Sequence, residues 1–266
     1  MSYTAVTTAR KGGGRPAVNT IVRNALWWAR DYAYAGYWQA RAFVSRTDPV
    51  SFRTGSKAPI VIVPGIWEPW KFMQPLIEVL HDRGHPVHII DTLAWNQRPV
   101  IESAELVARY LDDHDLHDVV IVAHSKGGLI GKYAMSLGTG AARISTMLAV
   151  AAPFGGSLYA RFLLLPSLRI FSPRDATILA LAHEIAVNER IVSVYGQFDP
   201  HIPGGSFLTA AKNVELDTGG HFRILAHPRV IAEAAVLLDT DREGHPNDAP
   251  HRNVETREEE GPPGPL

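Results

Sequence analysis

Ser125 owes its chemical interest to what stands on either side of it. The stretch Val119 to Gly131 reads Val-Val-Ile-Val-Ala-His-Ser-Lys-Gly-Gly-Leu-Ile-Gly. The β-branched run Val119 to Val122 suits a strand buried on both faces, and Leu129, Tyr133 and Met135 after the glycines follow a helix-like pattern. Strand, tight turn and helix therefore meet at one serine. In such a turn the backbone is strained and the hydroxyl is lifted clear of the sheet, while small residues two before and two after it let strand and helix approach. Those residues are Ala123 and Gly127. Glycine is usual at both places, so Ala123 is a departure, though by a single methyl group.

A serine hydroxyl is a poor nucleophile at neutral pH; it needs an imidazole to take its proton and a carboxylate to orient that imidazole. In a parallel sheet both must come from loops that directly follow strands, at the same edge as Ser125. Of the downstream core histidines His183, His201, His221 and His227, His221 alone lies in a glycine-rich turn past a strand and before the last helix. His183 sits in helical sequence, His201 stands in the loop of the candidate acid, and His227 opens the final helix. For the acid, Asp199 follows the strand Arg190 to Tyr195 and gives the chain order Ser, Asp, His. Asp217, four residues before His221, is its rival, with turn chemistry beside Thr218 and Gly219 as its plainer role. Negative charge developing on an attacked carbonyl is best met by two backbone N–H groups. The amides of Lys126, opening a helix, and of Ile66, after Pro64-Gly65, are the candidates. The Lys126 side chain is expected to be incidental, solvated or paired on the surface.

These residues require a particular scaffold. Pro59 to Pro64, Pro86 to Ile90, Asp118 to Ala123, Ile144 to Ala152, Arg190 to Tyr195 and Asn213 to Leu216 read as strands. Helical patterns run from Phe72 to Leu80, Ile101 to Leu111 and Pro228 to Leu238. Such alternation predicts a mainly parallel sheet covered by helices on both faces. Residues 158 to 184 interrupt it: Phe162 to Leu165 and Leu168 to Phe171 are apolar but broken by proline and arginine. The segment reads either as a small lid over the site or as an ordinary helix in the core. Trp67, Phe154 and Leu163 are candidate substrate-binding residues.

Outside this domain, placed at residues 58–240, residues 17–57 form an N-terminal aromatic-rich helix and linker. Its helix spans Val18 to Val44, with one set at Val18, Ile21, Ala25, Trp28 and Tyr32 and another at Tyr34, Tyr37 and Trp38. Two uses are open: packing on the main domain or on a second copy, or peripheral contact with a membrane, where aromatic rings settle at headgroup level. Residues 1–16 and the acidic tail 241–266 are too polar to repay ordering and are expected to be disordered.

Composition narrows the function. The 266-residue chain has a net charge of −1, so no overall basic excess is available for nucleic acid. Residues 1–58 nevertheless carry nine lysines and arginines against Asp31 and Asp48. The absence of cysteine removes disulfides, thiolate metal sites and thiol nucleophiles. His245 and His251 show no ligand spacing, and neither a metal nor a cofactor is expected. With no signal-like or membrane-spanning run, the expectation is a soluble cytoplasmic protein, with membrane association through the first helix as the variant reading.

Taken together, Val119 to Gly131, Pro59 to Trp67, Gly196 to Pro203 and Gly219 to Pro228 resemble the α/β-hydrolase superfamily. The Ala-His-Ser-x-Gly-Gly elbow is similar to that of compact bacterial lipases and esterases. Pro64 stands where such lipases often carry His. The resemblance implies a Ser125, Asp199, His221 triad, an oxyanion hole from Ile66 and Lys126, and hydrolysis of small-molecule or lipid esters through an acyl-enzyme. Thioesterases, amidases and acyltransferases use the same groups, and a non-catalytic binding protein on this fold is the alternative of another class.

Overall fold

The computed structural model describes residues 18–157, 159–160 and 170–243. The expected disordered stretch 1–16 and most of the expected tail lie outside these. The last helix continues to Glu243, so helical structure enters the first residues of that expected tail.

Six strands form one sheet: β1 (Ile60–Val63), β2 (Val87–Ile89), β3 (Val119–His124), β4 (Ile144–Val150), β5 (Ile191–Phe198) and β6 (Lys212–Gly219). Their order is β2-β1-β3-β4-β5-β6, and every pairing is parallel. The apolar runs read as doubly buried strands are so: all four residues of β1 and all six of β3 are buried. Alternate residues feed two cores. Val61, Val63, Ile121 and Ala123 face one side with helices α3 (Val100–Asp113), α4 (Lys126–Ser136) and α5 (Ala176–His183). Ile60, Ile62, Val120 and Val122 face the other, with α2 (Gln74–Asp82) and α6 (Pro228–Glu243). Parts of α1 (Val18–Val44), through Tyr34, Ala35 and Trp38, close that second side.

The order in which the chain adds strands reverses around β1, because β2 lies to one side of it and β3 to the other. Crevices at the carboxyl ends of strands on either side of such a reversal are where open parallel sheets bind ligands. Register places Val63 opposite Ala123, so the loops carrying Ile66 and Ser125 leave the sheet side by side.

Residues 170–184 do not stand apart from the domain. Phe171, Ile178 and Leu181 join the first core, and the Ser157 amide donates to the Phe171 carbonyl at 2.6 Å. The apolar run containing Leu163 lies outside the described residues.

Candidate active site

Ser125 adopts φ 50° and ψ −120°, a conformation that costs an L-residue about 1–3 kcal/mol and persists only where its surroundings impose it. Two backbone bonds impose it here: the Ser125 amide donates to Val150 O at 2.9 Å, and Ser125 O accepts from the Gly128 amide at 3.0 Å. Gly127 is required by the close crossing of α4 over β1, since a Cβ there would collide with the Val63 carbonyl oxygen. Ala123 sits fully buried between Val63 and Ala149, where its methyl group is accommodated.

The chosen partners converge on this serine. Ser125 Oγ lies 2.9 Å from His221 Nε2, and His221 Nδ1 lies 2.7 Å from Asp199 Oδ2. Because a carboxylate can only accept, Nδ1 carries the proton and, in the neutral ring, Nε2 is free to accept from the serine hydroxyl. Burial alone would lower the His221 pKa, but the Asp199 charge and hydrogen bond, with Glu68 and Asp31 nearby, more than offset it and raise the value above 6.5. Burial would likewise raise Asp199; His221 and the amide of His201 outweigh it and hold the carboxylate below its usual range. Such a chain can transfer a proton from a hydroxyl as it attacks.

The rejected candidates fall elsewhere. Asp217 is exposed within β6, not in a turn, and His183 is exposed at the end of α5. His227 accepts from the Arg229 amide through Nδ1 at the start of α6. His201 lies flat on His221, ring centroids 4.7 Å apart, and is bonded to the Tyr32 hydroxyl at 3.1 Å. Burial, then the charge of His221, pushes its pKa down to about 4 and keeps it neutral as a wall of the site.

Ser125 and His221 open onto a cavity of about 590 Å³ whose walls include Ile66, Trp67, Tyr159, Phe171 and Ile202. Trp67 is thus where expected. Phe154 is not: it is buried in the first core and does not line the cavity, because the turn after β4 directs its ring inward. Trp28 and Tyr32 of α1 do line it. The face of α1 turned to the domain includes Tyr34 and Trp38 of the second expected set but not the first set. Val18, Ile21, Trp28 and Tyr32 are exposed, whereas Trp27, Asp31, Tyr34, Ala35 and Trp38 turn toward the domain.

Three buried polar groups escaped sequence reasoning. Glu68, just past the Ile66 loop, accepts from the Gly65 amide at 2.9 Å and pairs with His124 Nδ1 at 2.7 Å. His124 Nε2 lies 2.9 Å from the His221 carbonyl oxygen. Facing a carbonyl, Nε2 of His124 donates, while Nδ1 shares a proton with the Glu68 carboxyl group, so the ring is pinned from both sides. Burial would raise Glu68, but His124 and the Gly65 amide outweigh it and hold it below the ordinary value.

The Lys126 side chain corrects the expectation of a surface group. It is fully buried, with Nζ donating to Asn96 O at 2.8 Å and to Arg98 O, while Asn96 Nδ2 donates to Pro64 O at 2.6 Å. The residue after the serine thereby braces the loop that presents Ile66. The third group, Asp31, is fully buried, and its Oδ2 accepts from the His221 amide at 2.8 Å while Oδ1 accepts from Phe222 and Arg223, each at 2.8 Å. A lone acid in the middle of an aromatic helical stripe was the available signal for it. Among the described residues, no cluster of side chains could hold a metal ion, and no helix is long and apolar enough to cross a membrane.

No family model matches the sequence, and no curated protein aligns with it significantly. Solved structures do resemble it. The mature lipase BlEst2 of Bacillus licheniformis superposes with a TM-score of 0.54 at 18% identity, covering 72% of this chain and 96% of that one. Aspergillus fumigatus lipase B gives 0.58 at 17% identity, covering 73% of this chain and 55% of that one. A metagenome-derived lipolytic enzyme, from work on LipS and LipT, gives 0.54 at 14%, covering 70% and 95%. With its parallel six-stranded sheet and helices on both faces, the chain has the α/β-hydrolase fold.

Proposed function

We propose that the protein is a serine hydrolase of carboxylic esters. The observation that carries this reading is the unbroken hydrogen-bond chain Asp199–His221–Ser125 ending on a strained serine at a largely apolar cavity. The lipolytic character of the superposed structures supports the same choice of substrate class.

Ser125 Oγ attacks the ester carbonyl carbon as His221 Nε2 takes its proton, and Asp199 holds the ring and stabilises the imidazolium. The Lys126 amide has no intrahelical partner, being the first of α4, and with the Ile66 amide it meets the oxyanion. Collapse of the tetrahedral intermediate expels the alkoxide, which takes the proton from His221 and leaves an acyl-Ser125. A water deprotonated by His221 then attacks the acyl carbon, and the serine departs with the returned proton. Trp67, Tyr159 and Phe171 form an apolar wall for the acyl group.

Nitrophenyl esters of graded acyl length test the reading. Purified protein should release nitrophenol and take up a fluorophosphonate at Ser125; turnover that survives Ser125→Ala unchanged would refute it. Thioesters and amides in the same panel sort the reactions that share these groups.

A further inference from the structure

The loop that carries His221 leaves the sheet from β6, which is an edge strand with β5 as its one neighbour. Its sequence, Gly219-Gly220, is the most pliant that could precede a residue needing a fixed position. Within the loop, Gly220 donates to Phe198 O at 2.8 Å. Every other anchor on the next three amides comes from one carboxyl group, that of Asp31, about 190 residues earlier in the chain. Successive N–H groups converging on one carboxylate form the concavity in which backbone binds anions. Gly220 is held at φ 110° with no room for a Cβ, which would collide with Asp31 Oδ1.

We propose that Asp31 is a positioning residue for the reaction: through the amides of His221, Phe222 and Arg223 it fixes the loop so that His221 Nε2 stays within reach of Ser125. The N-terminal helix then belongs to the active centre and is not an appended segment. This inference rests on the serine-hydrolase reading. Loss of the clamp frees the histidine to drift, and displacement by about 1 Å at a reacting group costs on the order of 100-fold in rate. Asp31 also adds negative charge near an imidazole already faced by Asp199, Glu68, His124 and His201, and its charge helps to raise His221.

The test compares Asp31→Asn with Tyr34→Ala. Tyr34 packs edge-on against Phe72, 6.1 Å between centroids, so its loss weakens apolar packing of α1 while the Asp31 carboxylate keeps its three amides. For Asp31→Asn, kcat should fall roughly 10- to 100-fold with KM little changed, and the midpoint of the pH–rate profile should move down. Tyr34→Ala should lower the unfolding temperature while keeping the parent kcat and midpoint. Asp31→Asn with parental kcat and midpoint, or Tyr34→Ala reproducing both changes, would overturn the proposal. If instead the parent protein neither turns over esters nor labels at Ser125, the hydrolase reading has failed. Should Asp31→Asn not fold, Asp31→Glu provides the second variant: its longer side chain should push the loop out of register and lower kcat, while its retained charge leaves the midpoint near the parental one; parental kcat there would overturn the proposal.

Discussion

Two buried carboxylate–imidazole pairs lie side by side at the carboxyl edge of the sheet, and they differ in what the far nitrogen faces. Asp199–His221 and Glu68–His124 have the same oxygen-to-nitrogen distance, 2.7 Å, and the two rings are 5.0 Å apart between centroids. His221 presents its second nitrogen to the Ser125 hydroxyl, which can both give and accept a proton, at a cavity wall. His124 presents its second nitrogen to a carbonyl, which can only accept, where its side chain is sealed from solvent. Similar pairs thus acquire opposite duties: one can pass a proton along, while the other holds a proton in place and ties two loops to the end of β3. The acceptor at the far end, not the pairing itself, decides which imidazole is suited to act as a base.

Removing the carboxylate from each pair should break this comparison unequally. Asn at 199 can donate to Nδ1 and turn the ring to the wrong tautomer, so Asp199→Asn should lower kcat by about 10⁴-fold while the fold persists. Steady-state kinetics and circular dichroism read the two parts. Glu68→Gln should cost less in rate, roughly 10- to 100-fold. It should cost more in stability, on the order of 3–5 kcal/mol, because it breaks a carboxylate–imidazole pair that is buried on both sides. Denaturant unfolding measures that loss. A Glu68→Gln variant that unfolds at the parental urea concentration would mean that the pair does not stabilise the fold.

Acidity sharpens the difference further. His221 has its pKa raised above 6.5, so kcat/KM should climb with pH as the imidazolium gives up its proton, with a midpoint above that of an ordinary histidine. The sign for stability is the reverse. A raised histidine contributes stability that is complete below its unfolded value of 6.5 and disappears as pH rises through the folded one. Asp199, lowered, contributes stability above 3.8 that is lost as pH falls through its folded value. The protein should therefore gain activity over the same range in which His221 ceases to stabilise it. In Asp199→Asn the residual activity should titrate at lower pH, which a pH–rate series with either variant checks.

Much of this architecture is legible in the chain because parallel-sheet strands announce themselves as apolar runs, and because loops after such strands must carry any site. The filter that chose His221 and Asp199 used strand-end position alone, and the structure brings both to Ser125. What escaped it was polar and internal. Glu68 comes from the loop after β1 and His124 from the last position of β3, and their pairing depends on the packing of β1 against β3, which no local pattern encodes. Lys126 was misplaced because lysine is rarely buried, yet α4 opens against the loop holding Asn96 and leaves its side chain nowhere else to go. On α1 the apolar pattern reaches Tyr34 and Trp38, but the buried stripe is centred on Asp31, made tolerable by three amides about 190 positions away. Phe154 was assigned to the cavity from its place after a strand, and the turn there points the ring the other way.

Lys126 supplies the finest test of the comparison, as a third buried nitrogen base near the same edge. Its acceptors are carbonyl oxygens of Asn96 and Arg98, not a carboxylate. Burial therefore prevails, with Glu102 pulling only partly the other way, and its pKa is pushed down from 10.5 to about 8. Over the interval between those values the unfolded chain binds a proton that the folded protein does not, so stability rises with pH. The full interval corresponds to about 3 kcal/mol. This slope runs opposite to that of His221, whose proton is held by a carboxylate. Urea unfolding of the parent and of Lys126→Met across the interval separates the two. The parent should gain on the variant as pH rises from about 8 toward 10.5; a constant gap would place the amine at its ordinary pKa, with the carbonyl oxygens offsetting its burial.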